Sequence, residues 1–173
     1  VARKGKPMIL STGAATLEEV REAVDVCRRA GNHRLMLMQC TAAYPAPLAS
    51  LNIRSMATMR AAFGVPVGLS DHSRDPVIGP VAAVAAGANL LEKHVTLRNT
   101  LPGPDHRFAV EPRELRLMVE GVRAAEQALG HGTKVPHPVE AELHRFARRS
   151  IFAIRPIKRG EAITRRHLGI LRH

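Results

Sequence analysis

Four short apolar runs recur in the sequence, and each is followed by a segment with helical periodicity. The runs begin near residues 8, 35, 65 and 89, so one run and its helix together take about 25 to 30 residues. Strands and helices that alternate in this way are typical of parallel strands joined by right-handed crossovers. The spacing therefore predicts an α/β fold with four parallel strands. It does not distinguish half of a barrel from a small open sheet.

The first helical segment has the clearest boundaries. Thr16 and Glu19 have the spacing of a capping box, and Gly31 is a stop signal. The apolar face of this helix is formed by Leu17, Val20, Val24 and Cys27. Further helices are predicted at 50–63, from Pro76 onward and up to Gly130, with strands at 8–10, 35–38, 65–69 and 89–94.

The sequence changes character after residue 131. Residues 132–147 are predicted to be a linker with a short helix, and a weak apolar alternation at 150–154 indicates a strand. We therefore expect an α/β domain at 1–131, the linker at 132–147 and the first part of a small second domain at 148–173.

Composition limits the classes of function. No apolar run approaches the roughly 18 residues of a transmembrane helix, and two cysteines are too few for a disulfide framework, which favours a cytoplasmic protein. The net charge of +11 suits an anionic substrate or a nucleic acid. However, one Tyr, four Phe and no Trp provide few rings for stacking on bases. A basic nucleic-acid-binding module is therefore the weaker alternative.

Two of the predicted strands end in ionisable residues. The third is followed by Ser70, Asp71 and His72, and the fourth leads into Glu92, Lys93 and His94. Parallel α/β folds place their sites at such strand ends, and neighbouring strands lie ~4.8 Å apart. The two histidines are thus candidate ligands of one divalent ion, with Asp71, Glu92 or Asp105 either as oxygen ligands or as partners that support the ligands. Alternatively, each is a hydrogen-bonded histidine at a strand end.

Two loop residues are further candidates. Tyr44 follows the second strand, where its hydroxyl is placed either to contact a substrate or to pack. Asp105 lies in a loop stiffened by Pro102 and Pro104 and is either a functional carboxylate or a turn residue.

Five motifs in order carry a resemblance to a known family. They are KPMILSTG at 6–13, CTAAYP at 40–45, GLSDH at 68–72, EKHVTL at 92–97 and PGPDH at 102–106. Together they resemble the sialic acid synthase family, which includes N-acetylneuraminate synthase and its legionaminate and pseudaminate relatives. ARRS at 147–150 and IKRGE at 157–161 resemble the junction into that family's antifreeze-like (SAF) domain.

The resemblance implies a specific fold. The chain would be the C-terminal half of a (β/α)8 TIM barrel, strands five to eight, followed by the beginning of the SAF domain. The family's N-terminal glutamate and phosphate-binding lysines belong to the other half of the barrel.

The resemblance also implies a reaction. The family condenses phosphoenolpyruvate with an N-acetylated amino sugar, such as N-acetylmannosamine, to a nine-carbon α-keto acid and phosphate, using Mn²⁺ or Mg²⁺. The resemblance assigns metal binding to His72 and His94. The expected catalytic residues are Tyr44, Glu92 and Asp105, and the expected substrate-binding residues are Ser70, Phe146 and Arg172.

The resemblance further implies a domain-swapped homodimer, in which the SAF arginine serves the partner's site, and no nucleic-acid or membrane partner. Ala42 stands where sialate enzymes often have Asn, so the identity of the sugar stays open. Another phosphoenolpyruvate-using TIM-barrel aldolase is the main alternative to this function.

The resemblance predicts that the 173-residue chain is inactive on its own, because the phosphate-binding lysines lie in the other half of the family's barrel. The purified chain, incubated with phosphoenolpyruvate, N-acetylmannosamine and Mn²⁺, should release phosphate no faster than a protein-free control. Release that requires both substrates would contradict the expectation.

Overall fold

The computed structural model describes residues 1–172. The chain forms two compact units, the first from Val1 to Gly130 and the second from His131 onward. Each unit is described separately below.

Four strands alternate with four helices in the first unit. In chain order these elements are β1 (Met8–Ser11), α1 (Leu17–Arg29), β2 (Leu35–Cys40), α2 (Ser55–Phe63), β3 (Val67–Asp71), α3 (Ile78–Ala85), β4 (Leu91–Lys93) and α4 (Pro112–Leu129). The strands pair in parallel in the order β1-β2-β3-β4. The predicted α/β fold with four parallel strands is confirmed.

The core lies between one face of the sheet and the helices. Strand side chains alternate between the two faces, so Leu37 and Leu69 point to the helix layer. They pack with helix residues that include Val24, Met56 and Phe63. Each such buried side chain stabilises the fold by roughly 1.5–3 kcal/mol. The side chains of Ser70 and Glu92, near the ends of their strands, lie on the opposite face.

Helix α1 forms as the sequence predicts. Thr16 and Glu19 make the reciprocal capping box, and Val20, Val24 and Cys27 are buried. The backbone N–H of Thr16 donates to the Glu19 carboxylate and thereby lowers the pKa of that group.

Several predicted boundaries shift. Strand β2 continues to Cys40, and β3 covers 67–71 instead of 65–69, so Ser70 and Asp71 lie within the paired strand. Strand β4 is limited to 91–93, with a further parallel bridge between Val95 and Val110. Helix α2 begins at Ser55 because residues 48–50 form a 3-10 turn.

Helices α3 and α4 start at local hydrogen-bonding signals. The Asp75 carboxylate accepts from the backbone N–H groups of Ile78 and Val77, so α3 begins at Ile78, two residues after Pro76. These bonds, with that of Ile78 the largest cause, lower the pKa of Asp75. Helix α4 begins with Pro112 at its first turn, behind a Glu111–Glu114 capping box.

The second unit contains α5 (Ala141–Phe146) and an antiparallel pair, β5 (Arg149–Ala153) with β6 (Leu168–Arg172). The strand predicted at 150–154 is thus observed one residue earlier. Its assignment as the beginning of a SAF domain stays a prediction.

Across residues 1–172, none of the helices combines the length and the apolar character needed to span a membrane.

Gly68 is required by the close approach of neighbouring chain segments at the centre of the sheet. A Cβ placed there would collide with the backbone carbonyl of Leu90 and lie 2.8 Å from the Met38 sulfur. Because a backbone carbonyl cannot rotate away, a side chain at this position would push apart the segments that hold β3 and β4 in register.

Gly68→Ala should therefore lower the free energy of unfolding by about 2–3 kcal/mol. Gly31→Ala is the matched control, since Gly31 has a φ of +80° but open space around its Cβ position, and should cost about 1 kcal/mol. Urea denaturation of both variants measures the difference. Equal losses would show that the close approach does not constrain the sheet.

Candidate functional site

Three successive residue pairs connect the ends of β3 and β4. Ser70 is paired with Glu92 and Asp71 with Lys93 in the ladder, and the next residues are His72 and His94. The Ser70 hydroxyl donates to the Glu92 carboxylate at 2.6 Å. The rings of the two histidines lie 5.2 Å apart, nearly perpendicular to each other. The structure thus brings the two predicted metal ligands together.

His72 is fixed by a backbone hydrogen bond. Its ring is buried, and Nδ1 lies 2.9 Å from the carbonyl oxygen of Thr41. A carbonyl only accepts, so Nδ1 carries the proton in the neutral ring and Nε2 carries the lone pair. A carbonyl behind a histidine in this way is the usual support for a metal-binding imidazole. The Cys40 sulfur is also near Nδ1, at 3.8 Å.

Tyr44 covers the two histidines from the loop after β2. Its ring centroid is 4.3 Å from that of His72 and 6.0 Å from that of His94. The ring is about half exposed, and the Tyr44–Pro45 peptide bond is cis. The hydroxyl is thus carried on a ring held against both imidazoles.

Phe108 completes this aromatic group and was missed by sequence reasoning. It is buried, with its ring 5.0 Å from His94 and 5.5 Å from Tyr44. It follows an irregular loop, where no hydrophobic periodicity marks it. An apolar wall beside His94 excludes water from that side of the imidazole.

Asp105 lies near His94 but is largely exposed. Its carboxylate oxygen is 3.8 Å from Nδ1 of His94. The loop that carries it is tied by Asn99, whose side-chain amide donates to the carbonyls of His106 and Ala109. Asn99 was also missed, because an asparagine in a loop gives no signal of its long-range contacts.

One of the candidate oxygen ligands faces away from the two histidines. Asp71 was a candidate oxygen donor for the metal, but its side chain projects to the opposite face of the sheet from Ser70 and His72. There its carboxylate pairs with Lys93 at 2.7 Å and accepts from the Ser73 backbone N–H. Strand alternation is the signal that identifies this orientation.

The remaining predicted residues lie in the second unit. Phe146 ends α5 with a half-exposed ring, and Arg172 ends β6 directly opposite Arg149. Both are exposed within their unit.

The donors present fit a divalent ion that takes part of its coordination shell from water or substrate. His72 and His94 supply two imidazoles. The Glu92 carboxylate lies in β4, two residues before His94, and the Asp105 carboxylate lies in the loop beside His94. Within residues 1–172, no three His, Cys, Asp or Glu side chains are arranged as a complete metal site.

Comparison with known proteins identifies related sequences. A family model described as the NeuB family matches residues 1–134. The spore coat polysaccharide biosynthesis protein SpsE of Bacillus subtilis is 41% identical, over 99% of this chain and 50% of that protein. The pseudaminic acid synthase of Helicobacter pylori is 38% identical, again over 99% and 50%. The chain therefore spans about half the length of the curated relatives it matches.

A solved structure supports the same relationship. The N-acetylneuraminic acid synthetase of Leptospira borgpetersenii, in complex with citrate, matches 83% of this chain and 50% of its own, with a TM-score of 0.74 and 34% identity. The four-stranded parallel sheet therefore corresponds to part of a TIM-barrel relative.

The geometry predicts the protonation of one ring. When its ring is neutral, His72 should carry the proton on Nδ1, because the Thr41 carbonyl offers only an acceptor there. Long-range ¹H–¹⁵N correlation spectra recorded at alkaline pH, where imidazoles are neutral, measure the tautomer directly. Exposed His33 serves as the reference for a freely exchanging ring. A proton located on Nε2 of His72 would contradict this structure of the site.

Proposed function

Since this chain belongs to the NeuB family, we propose that it supplies the metal-binding half of a nonulosonate synthase active site. Relatives of this family are named as synthases of pseudaminic, legionaminic and sialic acids. The observation that carries the proposal is the pair His72 and His94, with rings 5.2 Å apart at adjacent strand ends. The Thr41 carbonyl behind His72 supports the same role.

The proposed reaction joins the three carbons of phosphoenolpyruvate to the six-carbon chain of an amino sugar. C3 of phosphoenolpyruvate forms a bond to the aldehyde carbon of an open-chain N-acetylated amino sugar, whose oxygen takes a proton and becomes a hydroxyl. Water adds at C2 of the former phosphoenolpyruvate, and loss of phosphate from that carbon leaves the ketone. The product is a nine-carbon α-keto acid.

His72 and His94 would hold the divalent ion, Mn²⁺ or Mg²⁺. When bound, such an ion polarises the aldehyde oxygen and stabilises the negative charge that develops on it. The Thr41 carbonyl fixes the His72 ring, and Tyr44 holds both rings from above. The chain's own part of this step is thus to fix two donors before the substrate arrives.

The carboxylates and hydroxyls around the rings serve the substrates in this proposal. Glu92 is oriented by the Ser70 hydroxyl, and Asp105 lies beside His94 in an exposed loop. We propose that both carboxylates and the Tyr44 hydroxyl bind the sugar or transfer protons to and from it. Ser70 would also contact phosphoenolpyruvate.

Two substrate-binding residues of this proposal lie in the second unit. They are Phe146 and Arg172, with Arg172 serving the partner in a domain-swapped homodimer of the full protein. The unit is rich in positive charge, with ten Lys or Arg and three Glu from residue 131 onward. This charge suits the carboxylate and phosphate groups of the substrates and of the product. A SAF-type fold and a cytoplasmic location belong to the same proposal.

The test joins this chain to the half of the Bacillus subtilis relative that it does not cover. Phosphate release should then require phosphoenolpyruvate, an N-acetylated amino sugar and a divalent ion. His72→Ala and His94→Ala should each lower kcat/KM by roughly 10³-fold, because each removes one of the two imidazole donors of the ion. His72→Gln provides a version with a retained polar side chain.

Arg123→Ala is the control, because Arg123 forms an exposed ion pair with Glu126 on α4 and lies near the start of β4, not near the carboxyl end that carries His94. It should leave kcat/KM unchanged. Metal-dependent turnover at a near-normal rate in both His72→Ala and His94→Ala would refute the metal assignment. Turnover with a phosphorylated sugar in place of the N-acetylated one would favour another phosphoenolpyruvate-using barrel enzyme.

A further inference from the structure

We propose that the buried Asp71–Lys93 ion pair is a positioning device that sets the distance between His72 and His94. Its consequence for metal binding rests on the proposed function, whereas its effect on the two rings does not. Neither charged residue contacts the rings, so both act through the strand ends to which the histidines are attached.

The ion pair lies at the last residue pair between β3 and β4. The ladder between β3 and β4 ends with Asp71 opposite Lys93, and each histidine is the next residue in its strand. The histidines therefore lie one residue beyond regular backbone pairing. The 2.7 Å bond between the Asp71 and Lys93 side chains, at the last residue pair of the ladder, limits how far the ends of β3 and β4 can separate.

Lys93 is surrounded by acceptors. Its ammonium group bonds the Asp71 carboxylate at 2.7 Å, the Ser73 carbonyl at 2.5 Å and the Asp75 carbonyl at 3.0 Å. Three donors thus meet these three close acceptors, with the Ser73 hydroxyl farther away at 3.4 Å, and the side chain is only 2% exposed. An ammonium satisfied in this way has a single position, so it is a rigid link between β4 and the loop after β3.

The same link fixes the start of the loop. Asp71 accepts from the Ser73 backbone N–H, and the Asp75 carboxylate begins α3. The carbonyl of His72 itself accepts from the Ala46 backbone N–H at 2.9 Å. His72 is therefore held by the loop after β2 and by the segment that follows it in the chain, and the latter depends on Lys93.

Stability alone does not explain a buried charge pair here. Replacing such a pair with uncharged groups of similar size is often neutral or stabilising, because both charges lose their hydration on burial. What an apolar pair would not provide is a set of directed bonds with fixed lengths. The packing adds to this constraint, since a Cβ on Gly79 would lie 2.8 Å from the Asp71 carboxylate oxygen.

The critical variant is the double substitution Asp71→Asn/Lys93→Met, which removes both charges and keeps the side chains close in size. The amide oxygen introduced by Asp71→Asn can still accept from the Ser73 backbone N–H. Lys93→Met alone leaves an unpaired buried carboxylate and is the more destabilised single variant. Arg74→Met is the control, because Arg74 ties the same loop to α4 through an exposed ion pair with Glu114.

Two measurements on the 173-residue chain test the proposal. The first is the nuclear Overhauser effect between the ring protons of His72 and His94, with the Tyr44–His72 effect as internal reference. The second is Mn²⁺ affinity from the electron paramagnetic resonance signal of the free ion. We expect the double variant to lose the His72–His94 effect and to bind Mn²⁺ about 10- to 100-fold more weakly, as is usual when support behind metal ligands is removed.

Arg74→Met should retain both properties, and the melting temperature of each variant shows whether it is folded. A folded double variant that keeps the His72–His94 effect at its original strength would overturn the positioning role, whatever its Mn²⁺ affinity. If the unsubstituted chain binds no Mn²⁺, the metal assignment fails, and the ring measurement still decides the role of the pair.

Discussion

The register between β3 and β4 is the constraint on which the candidate site depends. In the observed register, Leu69 faces Leu91 on the helix side, and Ser70 faces Glu92 on the other side. A slip by one residue would turn Glu92 toward the helices and Lys93 toward the open face. Burying an unpaired carboxylate among apolar side chains costs several kcal/mol. The apolar pattern and the Asp71–Lys93 pair therefore select the arrangement that also places the histidines together.

Glycine at position 68 makes this register attainable. The backbone of Leu90 approaches β3 so closely that no side chain fits between them. The same strand thus needs a residue without a side chain at its start, an apolar residue in its middle and a charge at its end. These requirements are local, but together they determine the geometry of the strand ends.

Much of this arrangement was predictable from the sequence. Apolar periodicity indicated the four strand–helix units, and the rule that parallel strands present their ends together brought His72 beside His94. The two-residue error in β3 did not change which face each side chain occupies, because strand side chains repeat every two residues. Applying that alternation to Asp71 separates it from the ligands. By contrast, Phe108 and Asn99 act through loops, whose long-range contacts leave no periodic signal.

The contacts of Lys93 also indicate which changes the loop after β3 tolerates. Two of its three close acceptors are backbone carbonyls, those of Ser73 and Asp75. These two close bonds depend only on the carbonyls, which every residue type offers, whereas the Ser73 hydroxyl is a more distant acceptor at 3.4 Å. The path of the backbone is not free, because one inserted or deleted residue would move both carbonyls away. The contacts of Lys93 therefore restrict the length of this loop, whereas the carboxylate of Asp75 is required separately to begin α3.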